Sequence, residues 1–224
     1  VELGYSTIGK FHREVVMSHR SQHKRGNRST TRNTHSHKGQ FMKHITLAVT
    51  GSIAAYKAAD LTSQLTKDNQ KVTVLMSQAA TNFITPLTLQ VLSKNLVHTD
   101  VMDEPAPNKV NHIEIAKQTD IFLVAPASAN TIAKLANGFA DNMITSTALA
   151  LPITAQKVLA PAMNTKMYEN PITQENLSKL EKYGWQIIQP RETVLACGDH
   201  GIGALASVET IIKKVKEMIY EETI

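Results

Sequence analysis

The chain has 224 residues, 42% of them hydrophobic and 19% charged, the proportions of a soluble globular protein with room for one sizeable core. Its single cysteine excludes an internal disulfide framework, no CxxC pair suggests a structural zinc site, and no run of about 18 apolar residues offers a membrane span. The net charge of +5 is concentrated at one end: residues 1–41 carry 8 Lys and Arg against 2 Glu, whereas residues 42–224 carry 16 against 17 acids.

Residues 1–41 read as a disordered basic tail, non-native or dispensable, because "SHRSQHKRGNRSTTRNTHSHKGQ" has too little apolar content to offset the entropy of ordering it. Three origins fit it, ranked in this order: translated upstream or appended sequence, a nucleic-acid-binding arm, and a targeting peptide. From Met42 onward apolar strand patterns alternate with helical ones. "HITLAVT" reads as a first strand, followed by a helix starting beside Gly51 and Ser52, and "KVTVLMS" as a second strand. "DIFLVAPAS" and "QKVLAPAMN" are apolar runs closed by proline, as expected of strands buried on both faces, and "ANTIAKLANG" and "ADNMITSTALAL" between them read as helices. "PITQENLSKLEKYG" predicts a helix capped by Thr173 and stopped at Gly184; "WQIIQP" predicts a late strand, and a last helix covers Val208 to Glu221. The alternation predicts an α/β domain over residues 42–224: a three-layer, doubly wound parallel sheet, flavodoxin-like or Rossmann-like.

In such a sheet ligands bind beyond the carboxyl ends of the strands. Gly51 and Ser52 occupy the first strand-to-helix turn, where backbone N–H groups attract phosphate, although Gly-Ser also serves plain turn geometry and capping. A dinucleotide would want GxGxxG and an acid at the end of the second strand, yet that strand closes on Met76, Ser77 and Gln78. A triphosphate loop would want GK[ST]. Both are missing, so a mononucleotide such as FMN fits better than NAD or ATP. Ser128, Asn130 and Thr131 cluster at another strand-to-helix junction, as helix caps or as donors to a ligand. Cys197 stands in a glycine-rich loop, "LACGDHGIGALA".

"GSIAAYK", "NHIEIAK", "APASANTIAKLANGFADN", "APAMNTKMYENP" and "ACGDHG" occur in this order, and with them residues 43–224 resemble the homo-oligomeric flavin-containing cysteine decarboxylases, in particular the branch that serves coenzyme A biosynthesis. The resemblance implies FMN bound by Gly51, Ser52 and Ile53, by Ser77, Gln78 and Ala79, by Ser128, Ala129, Asn130 and Thr131, and by Ala162; at Gln78 and Ala79 the match is positional. It implies His112 as catalytic base, Asn164 as the group that binds the substrate carboxylate, and Cys197 as proton donor. Tyr168 departs from the tryptophan that closes the family's PxMNxxMW pattern, and is expected to keep an aromatic wall of the substrate pocket.

The implied reaction converts 4′-phosphopantothenoylcysteine to 4′-phosphopantetheine. Hydride transfer to FMN from the carbon bearing sulfur gives a thioaldehyde, loss of carbon dioxide gives an enethiol, and returning the hydride with a proton from Cys197 completes the cycle. The alternatives are a peptidyl-cysteine oxidative decarboxylase, which stops at the enethiol, and a flavoprotein regulatory subunit. A homotrimer or an assembly of trimers is implied, in the cytoplasm, with neither nucleic acid nor membrane as partner and no metal. The chain ends at Ile224 without a following synthetase domain, so ligation of cysteine is expected of a separate protein.

Overall fold

The computed structural model describes residues 42–104 and 106–221, and the expectations for residues 1–41 lie outside them. Strands β1 (His44–Val49), β2 (Lys71–Met76), β3 (Val97–His98), β4 (Ile121–Ala127), β5 (Gln156–Pro161) and β6 (Trp185–Ile187) form one parallel sheet in the order β3-β2-β1-β4-β5-β6. This is the Rossmann order of the two predicted variants. Side chains alternate along each strand. Ile45, Leu47 and Val49 join one core with Val72, Val74 and Leu123, while Ala48, Leu75, Phe122, Val124 and Leu159 join the other.

Helices cover both faces. α1 (Ala58–Lys67), α2 (Pro86–Ser93) and α8 (Val208–Glu221) bury their apolar sides against the first core. α3 (Asn111–Gln118), α4 (Ala129–Ala136), α5 (Met143–Leu149), α6 (Thr165–Glu169) and α7 (Pro171–Lys182) pack on the second. The three-layer expectation holds. Among the described residues no helix is long and apolar enough to cross a membrane.

The structure corrects the sequence reading at four points. The first helix does not start directly after Ser52; a 3-10 turn, Ile53–Lys57, precedes α1. α7 is capped by Asn170, whose Oδ1 accepts from Ile172 N at 3.0 Å, and not by Thr173, because Pro171 takes the first helical position where no N–H is required. β3 has only two residues, too few for a periodicity signal. The loop around Cys197 is part of a hairpin, β7 (Arg191–Val194) and β8 (His200–Ala204), which forms a separate antiparallel pair.

Candidate active site

The order of strands reverses between β1 and β4, and their carboxyl ends are tied together there. Thr50 Oγ1 donates to Pro126 O at 2.7 Å and accepts from Ser128 N at 2.8 Å, in a buried junction. Ala162 N donates to Ala127 O at 3.0 Å, which brings the end of β5 to the same place, and Met163 N donates to Gly203 O at 2.9 Å, which docks the hairpin on it. A cavity of about 610 Å³ opens between these elements. Its volume is in the range of small-molecule and cofactor sites. A more open groove of about 630 Å³ between α1 and α8 contains none of the residues singled out in the sequence.

Eight of those residues line the cavity: Gly51, Ser52 and Ile53 from the first turn, Ser128 and Ala129 from the start of α4, Ala162 and Asn164 after β5, and Cys197 from the hairpin. Gly51 is required by space, since a Cβ there would stand 2.6 Å from Ala79 Cβ. Ala79 therefore supports the turn from behind. Ser52 caps the 3-10 turn, its Oγ accepting from Ala54 N at 3.3 Å, and keeps its own proton to donate. Ser128 caps α4, accepting from Thr131 N at 3.4 Å and donating to Thr131 Oγ1 at 3.2 Å. The capping and ligand readings of these two serines are both physically open, because a hydroxyl has more than one lone pair.

The remaining residues lie off the cavity lining. Ser77 Oγ accepts from Ala80 N just before the short 3-10 turn Ala80–Asn82, Gln78 accepts from Thr81 Oγ1 through its backbone carbonyl, Thr131 is buried as part of the α4 cap, and Asn130 is exposed on α4. Tyr168 is also off the lining, contrary to its expected place in the pocket wall. It is buried in the second core, and its hydroxyl donates to Gln189 Oε1 at 2.8 Å, while the neighbouring Met167 faces the cavity. Burial pushes the Tyr168 hydroxyl above its ordinary pKa.

Asn164 and Cys197 meet. Asn164 is held at the start of α6 by Lys166 N donating to its Oδ1 at 2.9 Å, which leaves Nδ2 pointing at Cys197 Sγ, 3.4 Å away. The thiol in turn donates to Asp199 Oδ2 at 3.4 Å. Hence the amide, the thiol and the carboxylate form a short chain beside the cavity. His112 stands apart, in the first turn of α3 and outside the lining. Its Nδ1 is buried without a hydrogen-bond partner, although the preceding Asn111 is fixed by Glu104 Oε2, His98 Nδ1 and Asp103 O.

The sequence reading missed the cationic and apolar rim. Lys57, Arg191, Tyr56, Phe83, Met167 and Val194 all face the same space, brought together from segments that no local spacing connects.

The lining suits a flavin mononucleotide: the Ser52 hydroxyl and a turn that needs a glycine offer polar contacts, and Ile53, Ala129, Ala162 and Met163 add apolar surface. Comparison with known proteins agrees. The family description "Flavoprotein" matches residues 32–220. The chain is 64% identical over 177 residues to a probable phosphopantothenoylcysteine decarboxylase of Streptococcus mutans, covering 79% of this chain and 99% of that protein. It is 45% identical over 181 residues to the coenzyme A biosynthesis bifunctional protein CoaBC of Bacillus subtilis, 81% of this chain but only 44% of that protein. Among solved structures it is similar to a PPC decarboxylase mutant complexed with pantothenoylaminoethenethiol, at 32% identity and a TM-score of 0.73, over 79% of this chain and 98% of that one. It is similar also to the FMN binding protein AtHal3, at 32% identity and a TM-score of 0.69, over 79% and 96%. Fold, cavity and sequence together make this chain a member of the flavoprotein family.

Proposed function

We infer that the chain is an FMN-dependent decarboxylase that converts 4′-phosphopantothenoylcysteine to 4′-phosphopantetheine. The single observation that carries this reading is the contact of Asn164 with Cys197 at the wall of a cavity cradled by the Gly51-Ser52 turn. When bound, FMN would supply a reversible acceptor for the hydride of the substrate carbon bearing sulfur.

The protein's own groups do the rest. Asn164 Nδ2 holds the substrate carboxylate with a neutral donor, which orients it without the ground-state stabilisation that a cation would give. Cys197 then faces the carbon next to that carboxylate, and its thiol proton is the one delivered when the enethiol is reduced. Asp199 accepts from the same thiol and so fixes the direction of the S–H bond. Ser52 donates to the cofactor, with Gly51, Ile53, Ser128, Ala129 and Ala162 forming the surface on which it rests. Ser77, Gln78, Ala79, Asn130 and Thr131 support that surface from behind or extend it at the edge.

His112 acts as base from a second copy of the chain. Two observations favour this. Its side chain is half-buried on α3 and lies outside the lining of the cavity that holds Asn164 and Cys197, so one chain does not place it against that site. The cavity rim also exposes Ile53, Tyr56, Phe83, Met167 and Val194, each at least 47% accessible, a patch of the kind that marks a protein interface. A homotrimer or an assembly of trimers is the proposed state. The exposed free thiol suits a reducing compartment, and the proposed location is the cytoplasm.

The test is substrate choice: kcat/KM of the flavin-loaded protein for 4′-phosphopantothenoylcysteine against a cysteine-terminated peptide. The proposal expects the small substrate to be preferred by at least about a hundredfold; preference for the peptide would replace it with the peptidyl-cysteine decarboxylase.

A further inference from the structure

Two cations share the cavity rim. Lys57 ends the 3-10 turn that follows Ser52, Arg191 opens β7, and both line the cavity. Arg191 Nε donates to Leu205 O at 3.1 Å, which anchors the guanidinium on the hairpin and leaves its two terminal nitrogens available. Lys57 Nζ lies 5.9 Å from the centre of the Tyr56 ring. Among the described residues no carboxylate is within 4.0 Å of either cation. Glu209, at the start of α8, is the acid whose charge reaches both.

We propose that Lys57 and Arg191 form a seat for a phosphomonoester, and that its occupant is the phosphate of the substrate. The balance of charge favours an anion: two cations and one carboxylate leave one positive charge unmatched, and Arg191 retains the fork geometry that phosphate accepts in two parallel bonds. Burial and the charge of Arg191 both press the Lys57 ammonium below its ordinary pKa, with Glu209 opposing, so an added anion relieves a real repulsion.

Position favours the substrate over the cofactor. The Gly51-Ser52 turn already offers backbone and hydroxyl donors to a cofactor phosphate. Arg191 and Cys197 lie at opposite ends of the hairpin arm, on the order of 10 Å or more apart at about 3.3 Å per strand residue. A ligand with its carboxylate on Asn164 and its phosphate on Lys57 and Arg191 would span that arm. The seat therefore separates a phosphorylated pantothenoyl substrate from a peptide, which ends in the same cysteine but carries no phosphate. The identity of the ligand rests on the decarboxylase reading; the existence of the seat does not.

The experiment compares the flavin-loaded wild type with Lys57→Gln, Arg191→Gln and Lys57→Arg. Calorimetry reads binding of 4′-phosphopantetheine, pantetheine and inorganic phosphate, and flavin fluorescence reads the dissociation constant for FMN. Each glutamine variant is expected to bind 4′-phosphopantetheine about tenfold more weakly, as for loss of one charged hydrogen bond, with pantetheine and FMN affinities unchanged and Lys57→Arg close to wild type. A loss confined to FMN affinity would overturn the substrate assignment and give the seat to the cofactor's phosphate. Variants that keep the full preference for the phosphorylated ligand would overturn the seat itself. A wild type that binds neither pantetheine would defeat the decarboxylase reading instead, and weaker binding of inorganic phosphate in the glutamine variants would still uphold the seat, while equal binding would overturn it.

Discussion

Cys197 has two contacts, and each assigns it a task. The amide of Asn164 points at its sulfur and the carboxylate of Asp199 accepts a hydrogen bond from its S–H, at 3.4 Å each. In the proposed reaction this thiol is the proton donor to the substrate carbon beside the carboxylate held by Asn164. Cys197→Ser is expected to retain FMN and to release carbon dioxide, but to accumulate the oxidised enethiol, with the saturated product reduced by about two orders of magnitude or more, as for loss of a general acid. Mass analysis of the products checks this, and normal 4′-phosphopantetheine formation would end the role. His112→Asn is expected to bind flavin with an unchanged absorption spectrum and to fail at carbon dioxide release. Turnover at the wild-type rate would remove His112 as base.

At the scale of elements, the hairpin depends on Gly203. Its φ of +148° is in the region that favours glycine, and a Cβ there would run into Met163 O. Gly203→Ala is expected to cost about 1–3 kcal/mol, to lower Tm by roughly 2–4 °C per kcal/mol, and to weaken FMN binding because the hairpin wall lifts; an unchanged Tm would contradict it.

Two strand histidines set the response to acid. His44 in β1 is buried with Nε2 2.8 Å from Thr73 Oγ1, and His98 in β3 is within 3.0 Å of Asn111 Nδ2 through Nδ1. Burial holds both below the ordinary value of 6.5, opposed by Asp120 at His44 and by Asp103 at His98. Above pH 6.5 neither state binds the proton and no stability is lost. As pH falls below 6.5, the unfolded chain takes up protons first, so stability declines toward the lower folded pKa values. The urea midpoint is expected to be lower at pH 5.5 than at pH 7.5, and less so in His44→Asn; equal midpoints would contradict this.

The long elements were legible in the sequence because their apolar period is sustained: β1, β2, β4, β5 and α8 were all found, the last with its full range of Val208–Glu221. β3 escaped because two residues carry no period, and the hairpin because β7 is exposed on most of its length. In the site, Asn164, Cys197 and the Gly51-Ser52 turn were legible from motifs. The rim was not, since Lys57 and Arg191 are neighbours only after the hairpin folds back over the first turn.

For the whole molecule, the position of His112 outside the cavity that holds Asn164 and Cys197 predicts a shared site. Mixing His112→Asn with Cys197→Ser subunits, neither of which forms the saturated product alone, is expected after dissociation and reassembly to restore a fraction of wild-type 4′-phosphopantetheine formation. No recovery would place all three groups in one chain. Protein lacking residues 1–41 is expected to keep both FMN binding and turnover; substantial loss of either would show that the basic segment contributes.

The most direct measurement is the mass of the product that the flavin-loaded protein makes from 4′-phosphopantothenoylcysteine. The expected product is lighter than the substrate by carbon dioxide alone, the saturated 4′-phosphopantetheine. A product lighter by carbon dioxide and two further hydrogens, or substrate recovered unchanged, would contradict the redox-neutral cycle assigned to this cavity.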